Sequence, residues 1–139
     1  MIYEFCAENV TLLEKAMHAG ARRIELCDNL AVGGTTPSYG VTKAAVELAT
    51  NYDTTIMTMI RPRGGDFVYN DLEISIMLED IRLTAQAGSQ GIVFGALTAD
   101  KKLDKANLEK LIAASKGMEI VFHMAFDDLS DEDQLEAID

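Results

Sequence analysis

Two cysteines each stand two residues after a glutamate, in the triplets Glu4-Phe5-Cys6 and Glu25-Leu26-Cys27. Side chains on a β-strand alternate between faces, so if both triplets lie on strands, each glutamate shares a face with its cysteine. Cys27 follows Cys6 by 21 residues, the length of one strand-helix unit. Parallel neighbours in the same register would therefore bring the thiols together at the C-terminal ends of the strands, where barrel active sites lie. Two thiolates with Met59 from a third strand make a soft donor set, and soft sulfur ligands select Cu(I) over hard cations. Zinc also accepts sulfur, but its structural sites usually take four ligands at spacings such as Cys-x-x-Cys, which this chain lacks. Two small buried hydrophobes are the other reading of the same residues.

A second chemistry shares that face. The same parity selects Met57, Met59 and Arg61 on the third strand and Val121, His123 and Ala125 on the fifth. Glu4, Glu25 and His123 would then be acid-base groups, since burial raises a glutamate toward the range useful for proton transfer. Arg61 and Arg63, in Arg61-Pro62-Arg63-Gly64-Gly65-Asp66, offer two planar cationic forks to an anion. Alternatively Arg61 neutralises the two glutamates and His123 is hydrogen-bonded in the core. Gly33-Gly34-Thr35-Thr36-Pro37-Ser38 leads into a helix N-terminus, where backbone N–H groups can face a phosphate or carboxylate, although tight turns use the same residues.

Five units must position these residues. Apolar runs at Ile2 to Cys6, Arg23 to Cys27, Thr55 to Ile60, Gly91 to Phe94 and Glu119 to Phe122 read as strands. Between them run helical stripes such as Leu13, Ala16 and Met17, Val41, Ala44, Ala45 and Leu48, Ile74, Met77, Leu78 and Ile81, and Leu108, Leu111 and Ile112. Helix starts are expected at Asn9, Thr36, Asp71, Asp104 and Ser130, and stops at Gly20, Gly88 and Gly117. Residues 131–139 read as a fifth helix just begun. The alternation is that of an α/β protein with a parallel sheet, a TIM-type (β/α)8 barrel of which the chain supplies about five βα units. Residues 1–139 read as a single domain without a linker. An open sheet with helices on both faces meets the same local patterns, but it would bury under helices the strand face that here carries polar residues. Free sheet edges on a partial barrel also suit a partner-binding or assembly protein.

Composition narrows the partners. With 23 acidic against 12 basic residues the net charge is −11, which repels nucleic acid and anionic lipid. No basic segment precedes an apolar run at the N-terminus and no apolar stretch is long enough to span a bilayer, so a cytoplasmic protein with reduced thiols is expected.

Six ordered stretches carry a family resemblance: Glu4-Phe5-Cys6; Arg23-Ile24-Glu25-Leu26-Cys27; Gly33 to Ser38; Met59-Ile60-Arg61-Pro62-Arg63-Gly64-Gly65-Asp66-Phe67; Val93-Phe94-Gly95-Ala96-Leu97; and Phe122-His123-Met124-Ala125-Phe126-Asp127. Together they resemble the CutC family, named for proposed copper homeostasis. The resemblance implies a TIM-barrel-like cytoplasmic protein, often a homodimer, that binds Cu(I) through Cys6 and Cys27 at the C-terminal end of the barrel strands. Met124 stands where the family usually has Arg, and the family continues for several more βα units. The alternative is a TIM-barrel enzyme acting on a small anionic substrate by Glu/His acid-base chemistry with an Arg clamp.

Overall fold

The computed structural model describes residues 1–138 and contains five strands and five α-helices in alternation. The strands are β1 (Glu4–Glu8), β2 (Arg23–Cys27), β3 (Thr55–Met59), β4 (Gly91–Phe94) and β5 (Glu119–Phe122). Between and after them lie α1 (Leu13–His18), α2 (Tyr39–Ala49), α3 (Asp71–Ala87), α4 (Lys105–Ala114) and α5 (Asp131–Ile138). All four strand pairings are parallel, and the order β1-β2-β3-β4-β5 leaves β1 and β5 as the edges of an open sheet. That is the partial TIM-type arrangement expected, not yet closed. Among the described residues, no helix is long and apolar enough to cross a membrane.

Strand parity sorts the side chains into two layers. Outward, Ile24, Leu26 and Ile56 pack with Leu13, Met17 and Ala45 of α1 and α2, while Ile60, Ile92 and Phe94 pack with Ile74, Met77, Ile81, Leu108 and Leu111 of α3 and α4. Burying each such aliphatic side chain contributes roughly 2 kcal/mol. Inward, Cys27, Met57, Met59 and Val93 form a smaller cluster with Val121 beside it.

Boundaries shift where a partner, not the local sequence, decides them. Strand β1 begins two residues later than the apolar run, because β2 draws alongside only there: the Tyr3 carbonyl accepts from the Arg22 and Arg23 N–H groups. Asn9 starts no helix, since its N–H donates to the Cys27 carbonyl and prolongs the strand pairing, so α1 begins at Leu13. The cap of α2 is Ser38, whose Oγ accepts from the Val41 N–H, and α3 starts on a capping box between Asn70 and Glu73. Asp104 caps α4, Gly88 ends α3 at φ +90°, and Ser130 Oγ accepts from the Asp133 N–H at the start of α5.

Candidate metal centre

The register places the thiols diagonally rather than side by side. Cys6 pairs with Glu25 and Cys27 pairs with Glu8, an offset two residues short of the in-register expectation. An even offset keeps all three side chains on one face, and they converge: Cys6 Sγ and Cys27 Sγ lie 4.0 Å apart, with Glu25 Oε1 at 3.9 Å from the first and 3.7 Å from the second. These three are the group of His, Cys, Asp or Glu side chains among the described residues whose ligand atoms gather closely enough to hold a metal ion. An ion about 2.3 Å from each sulfur would subtend about 120° between them, and an oxygen about 2.1 Å away at the third vertex would lie about 3.8 Å from both. The observed triangle fits a trigonal site.

Burial sets the protonation of this triangle. Desolvation, reinforced by the neighbouring Cys6 and Glu25, pushes the Cys27 thiol far above its ordinary range. Desolvation and the Glu25 charge also raise Cys6, and desolvation with the Glu4 charge raises Glu25. Cys27 is fully buried and Cys6 is exposed toward the open β1 edge. Gly34, at φ +92°, lies directly over Cys27: a Cβ there would approach Sγ to 3.1 Å and the Met59 methyl to 3.6 Å, so only glycine lets the loop close onto the sulfur. Met59 belongs to the same apolar cluster as Cys27.

The diagonal register also separates metal binding from disulfide chemistry. With strands about 4.8 Å apart and a two-residue offset along them, the Cys6 and Cys27 Cα atoms are about 8 Å apart, beyond the roughly 7 Å that a disulfide spans. Raised thiols are also poor nucleophiles. Treatment with oxidised glutathione is expected to leave both thiols titratable, with no intramolecular loss of two hydrogens by mass. A Glu25→Cys, Cys27→Ala chain, with its cysteine directly opposite Cys6, should oxidise readily. Rapid disulfide closure in the native chain would refute the register argument.

The remaining sequence candidates fall elsewhere. Glu4 forms an ion pair with Arg23, its partner across the β1–β2 ladder. Arg61 is 2% exposed, and both of its Nη groups are spent on backbone: Nη1 donates to the Val32 and Gly34 carbonyls at 2.7 and 2.9 Å, and Nη2 to the Gly65 carbonyl at 2.8 Å, while Nε is buried without a partner. It also lies 4.9 Å from the Phe67 ring centre. Arg63 bridges to Glu73 and Asp66 and donates to the Val68 carbonyl. Four N–H groups of the Gly33 to Ser38 loop are spent on backbone carbonyls, Gly33 on Leu30, Gly34 on Asn29, Thr35 on Asp28 and Thr36 on Arg61.

His123 stands with Arg61 and Phe67, its ring 4.9 Å from that of Phe67 and seated over Gly95, where a Cβ would come within 2.7 Å of Cε1. Nδ1 accepts from the Ala125 N–H at 3.1 Å, so the proton resides on Nε2, which is buried without a partner. Burial, with the Arg61 charge, lowers its pKa to about 4. Above an ordinary histidine pKa of about 6.5 the ring is neutral folded or unfolded; between there and about 4 only the unfolded chain takes the proton, so stability falls with pH by up to about 3 kcal/mol. Urea unfolding of native and His123→Gln chains should show that extra loss between pH 6.5 and 4 in the native chain alone; parallel pH profiles would refute it.

The family model described as the CutC family matches residues 1–139. The chain belongs to the CutC family. CutC family proteins of Streptococcus pyogenes serotype M6 and of Enterococcus faecalis are each 54% identical to it over 139 residues, all of this chain and 66% of theirs. The crystal structure of a CutC from Streptococcus agalactiae, named for copper homeostasis, superposes with a TM-score of 0.95 at 49% identity, covering 99% of this chain and 66% of that one. The chain thus spans about two thirds of the length of these CutC relatives. Within its CutC fold, Glu25, read from the sequence as an acid-base group, stands beside both sulfurs as a candidate ligand. The repeated Glu-x-Cys pattern held that signal, because it sets Glu25 one step below Cys27 on the same face.

Proposed function

We propose that this chain handles Cu(I) as cargo in copper homeostasis, held by the Cys6 and Cys27 thiolates with Glu25 as third donor and Met59 as a soft neighbour. The observation that carries the reading is the triangle of Cys6 Sγ, Cys27 Sγ and Glu25 Oε1, whose 3.7 to 4.0 Å edges match three-coordinate binding. Two thiols and one carboxylate fall short of the four ligands of a structural zinc site and suit an ion that accepts fewer. The Streptococcus agalactiae relative, described as a copper homeostasis protein, points the same way. Chelator competition under anaerobic reducing conditions tests it. The native chain is expected to take up one Cu(I), and a Cys6→Ser, Cys27→Ser chain none; equal binding by both would overturn the reading.

One observation favours a second reading. The raised Glu25 carboxyl has the character of an acid-base group, so the same face suits proton transfer on a small anionic substrate. In that reading Glu4 and His123 assist and Arg61 and Arg63 orient the anion. Against it stand the Glu4–Arg23 and Arg63–Glu73 pairings and the backbone bonds that occupy Arg61.

A further inference from the structure

Three polar side-chain atoms among the described residues are buried without a hydrogen-bond partner: Arg61 Nε, the Tyr69 hydroxyl and His123 Nε2. Their residues are 2%, 7% and 7% exposed. They gather around one ring, that of Phe67, whose centre lies 4.9 Å from the Arg61 guanidinium carbon and 4.9 Å from the His123 ring centre. Tyr69 is within reach of the same guanidinium: burial raises its phenol and the Arg61 charge opposes that rise, as burial and the same charge lower His123. Buried polar groups are nearly always paired, so three unpaired ones in one neighbourhood call for an explanation.

The chemistry of the three is of one kind. Arg61 Nε carries a proton, His123 Nε2 holds the ring proton because Nδ1 accepts from the Ala125 N–H, and the Tyr69 hydroxyl can donate. What the cluster lacks is an acceptor and a negative charge. None of the ion pairs among the described residues includes Arg61, and the carboxylates of Asp66 and Glu73 are both engaged by Arg63. Burying a cation without a counter-charge is unfavourable, and an anion supplied from outside would relieve it.

We propose that Arg61, Tyr69 and His123 form a binding site for one small anionic group, a carboxylate or a phosphoryl group, whose oxygens accept from the three unpaired donors. Arg61 stands just beyond β3 and His123 just beyond β5, at the end of the strands where barrel sites lie. Phe67 gives the way in. Besides contacting Arg61 and His123, it lines a cavity of about 280 Å³ among the loops after β3, β4 and β5, with Leu97, Thr98, Lys101 and Asp128 among others. Rotation of its ring would join that cavity to the donors. This site differs from the clamp expected from the sequence: Arg63 lies outside it, Tyr69 enters it, and His123 donates a hydrogen bond instead of moving a proton. It rests on the second reading above for the anion alone and needs no turnover. An anion that binds without reacting therefore leaves the site standing while that reading fails.

The test titrates the native chain at pH 7 and constant ionic strength with inorganic phosphate and, separately, with acetate, following its two histidines by nitrogen-15 NMR. The His123 Nε2 resonance is expected to move to saturation, while that of His18, on α1, stays in place. The anion that saturates it at the lower concentration tells a phosphoryl from a carboxylate ligand. Tyr69→Phe removes only the unpaired hydroxyl. Without anion it should unfold in urea at the native midpoint or slightly above, and it should bind the anion roughly 10- to 100-fold more weakly. No saturable shift of His123 with either anion would overturn the proposal. So would a shift that Tyr69→Phe leaves unchanged, or one that His18 shares, which is the mark of a general salt effect.

Discussion

Replacing Cys27 with serine should weaken Cu(I) binding by at least about 1,000-fold, equivalent to more than about 4 kcal/mol. Cys27 supplies one of only two thiolates and sits fully buried beneath Gly34, so no solvent donor can take its place. Cys6→Ser should cost somewhat less, because Cys6 is exposed and water can enter. Glu25→Gln separates the third donor from its neighbours: it keeps the shape, removes the charge 3.7 and 3.9 Å from the sulfurs, and should cost about 10- to 100-fold. Met59→Leu should stay within about tenfold if the thioether only packs. Both thiols hold their protons at neutral pH, so loading displaces them and the apparent affinity should rise with pH, by up to about 100-fold per unit when two protons leave. Chelator competition from pH 6 to 8 measures all of this. A flat profile, or a Cys27→Ser chain that binds normally, would remove the thiols from the site.

Arg61→Met should destabilise the fold by about 3 to 5 kcal/mol, although methionine fills much the same space. The guanidinium, itself 2% exposed, holds the carbonyls of Val32, Gly34 and Gly65, and its bond to Gly34 is fully buried. Removing it strands the buried Gly34 carbonyl, frees the Val32 and Gly65 loops from one another and forfeits the contact with Phe67. Arg61→Lys should recover little, because a single ammonium cannot reproduce the planar fork that reaches two loops at once. The loss should extend to the candidate metal centre. The Gly34 carbonyl is one of the three, and Gly34 covers Cys27, so the thiol of the variant should react with an aromatic disulfide reagent in the folded state. Urea unfolding and thiol kinetics check both parts. An Arg61→Met chain of native stability with Cys27 still inert would show that the loop is held by other contacts, such as the Thr36 hydrogen bonds to the Arg61 backbone.

The distribution of exposed apolar residues follows the division of the sheet into inner and edge strands. The apolar side chains of the inner strands β2, β3 and β4 are buried, whereas Phe5 on β1 and Ile120 on β5, with Ile2 and Tyr3 leading into β1, are exposed.

Most of the fold was legible in the chain itself. Alternation with period two and helical stripes with period 3.6 are properties of the local backbone, so the strands from Arg23 to Cys27, Gly91 to Phe94 and Glu119 to Phe122 could be read to the residue. The inward parity of Cys6, Glu25, Cys27 and Met59 followed from the same alternation. Register did not, because it depends on how α1 and the loops around it seat β1 against β2, and no local pattern records a two-residue offset. That offset makes Glu25 the partner of Cys6 and sets Cys27 on the diagonal. The fate of the charged side chains was equally non-local. Arg61 looked like an anion clamp from its loop alone, but folding brings the Val32 and Gly34 carbonyls, about 30 residues away in sequence, within its reach. His123 keeps its neutral form because the tertiary structure buries it beside that guanidinium over Gly95. The sequence by itself determined which side chains share a face. Tertiary packing decided which of them touch, which are shielded from water and therefore which proton or ion each can hold, since desolvation and charge proximity exist only once distant segments meet.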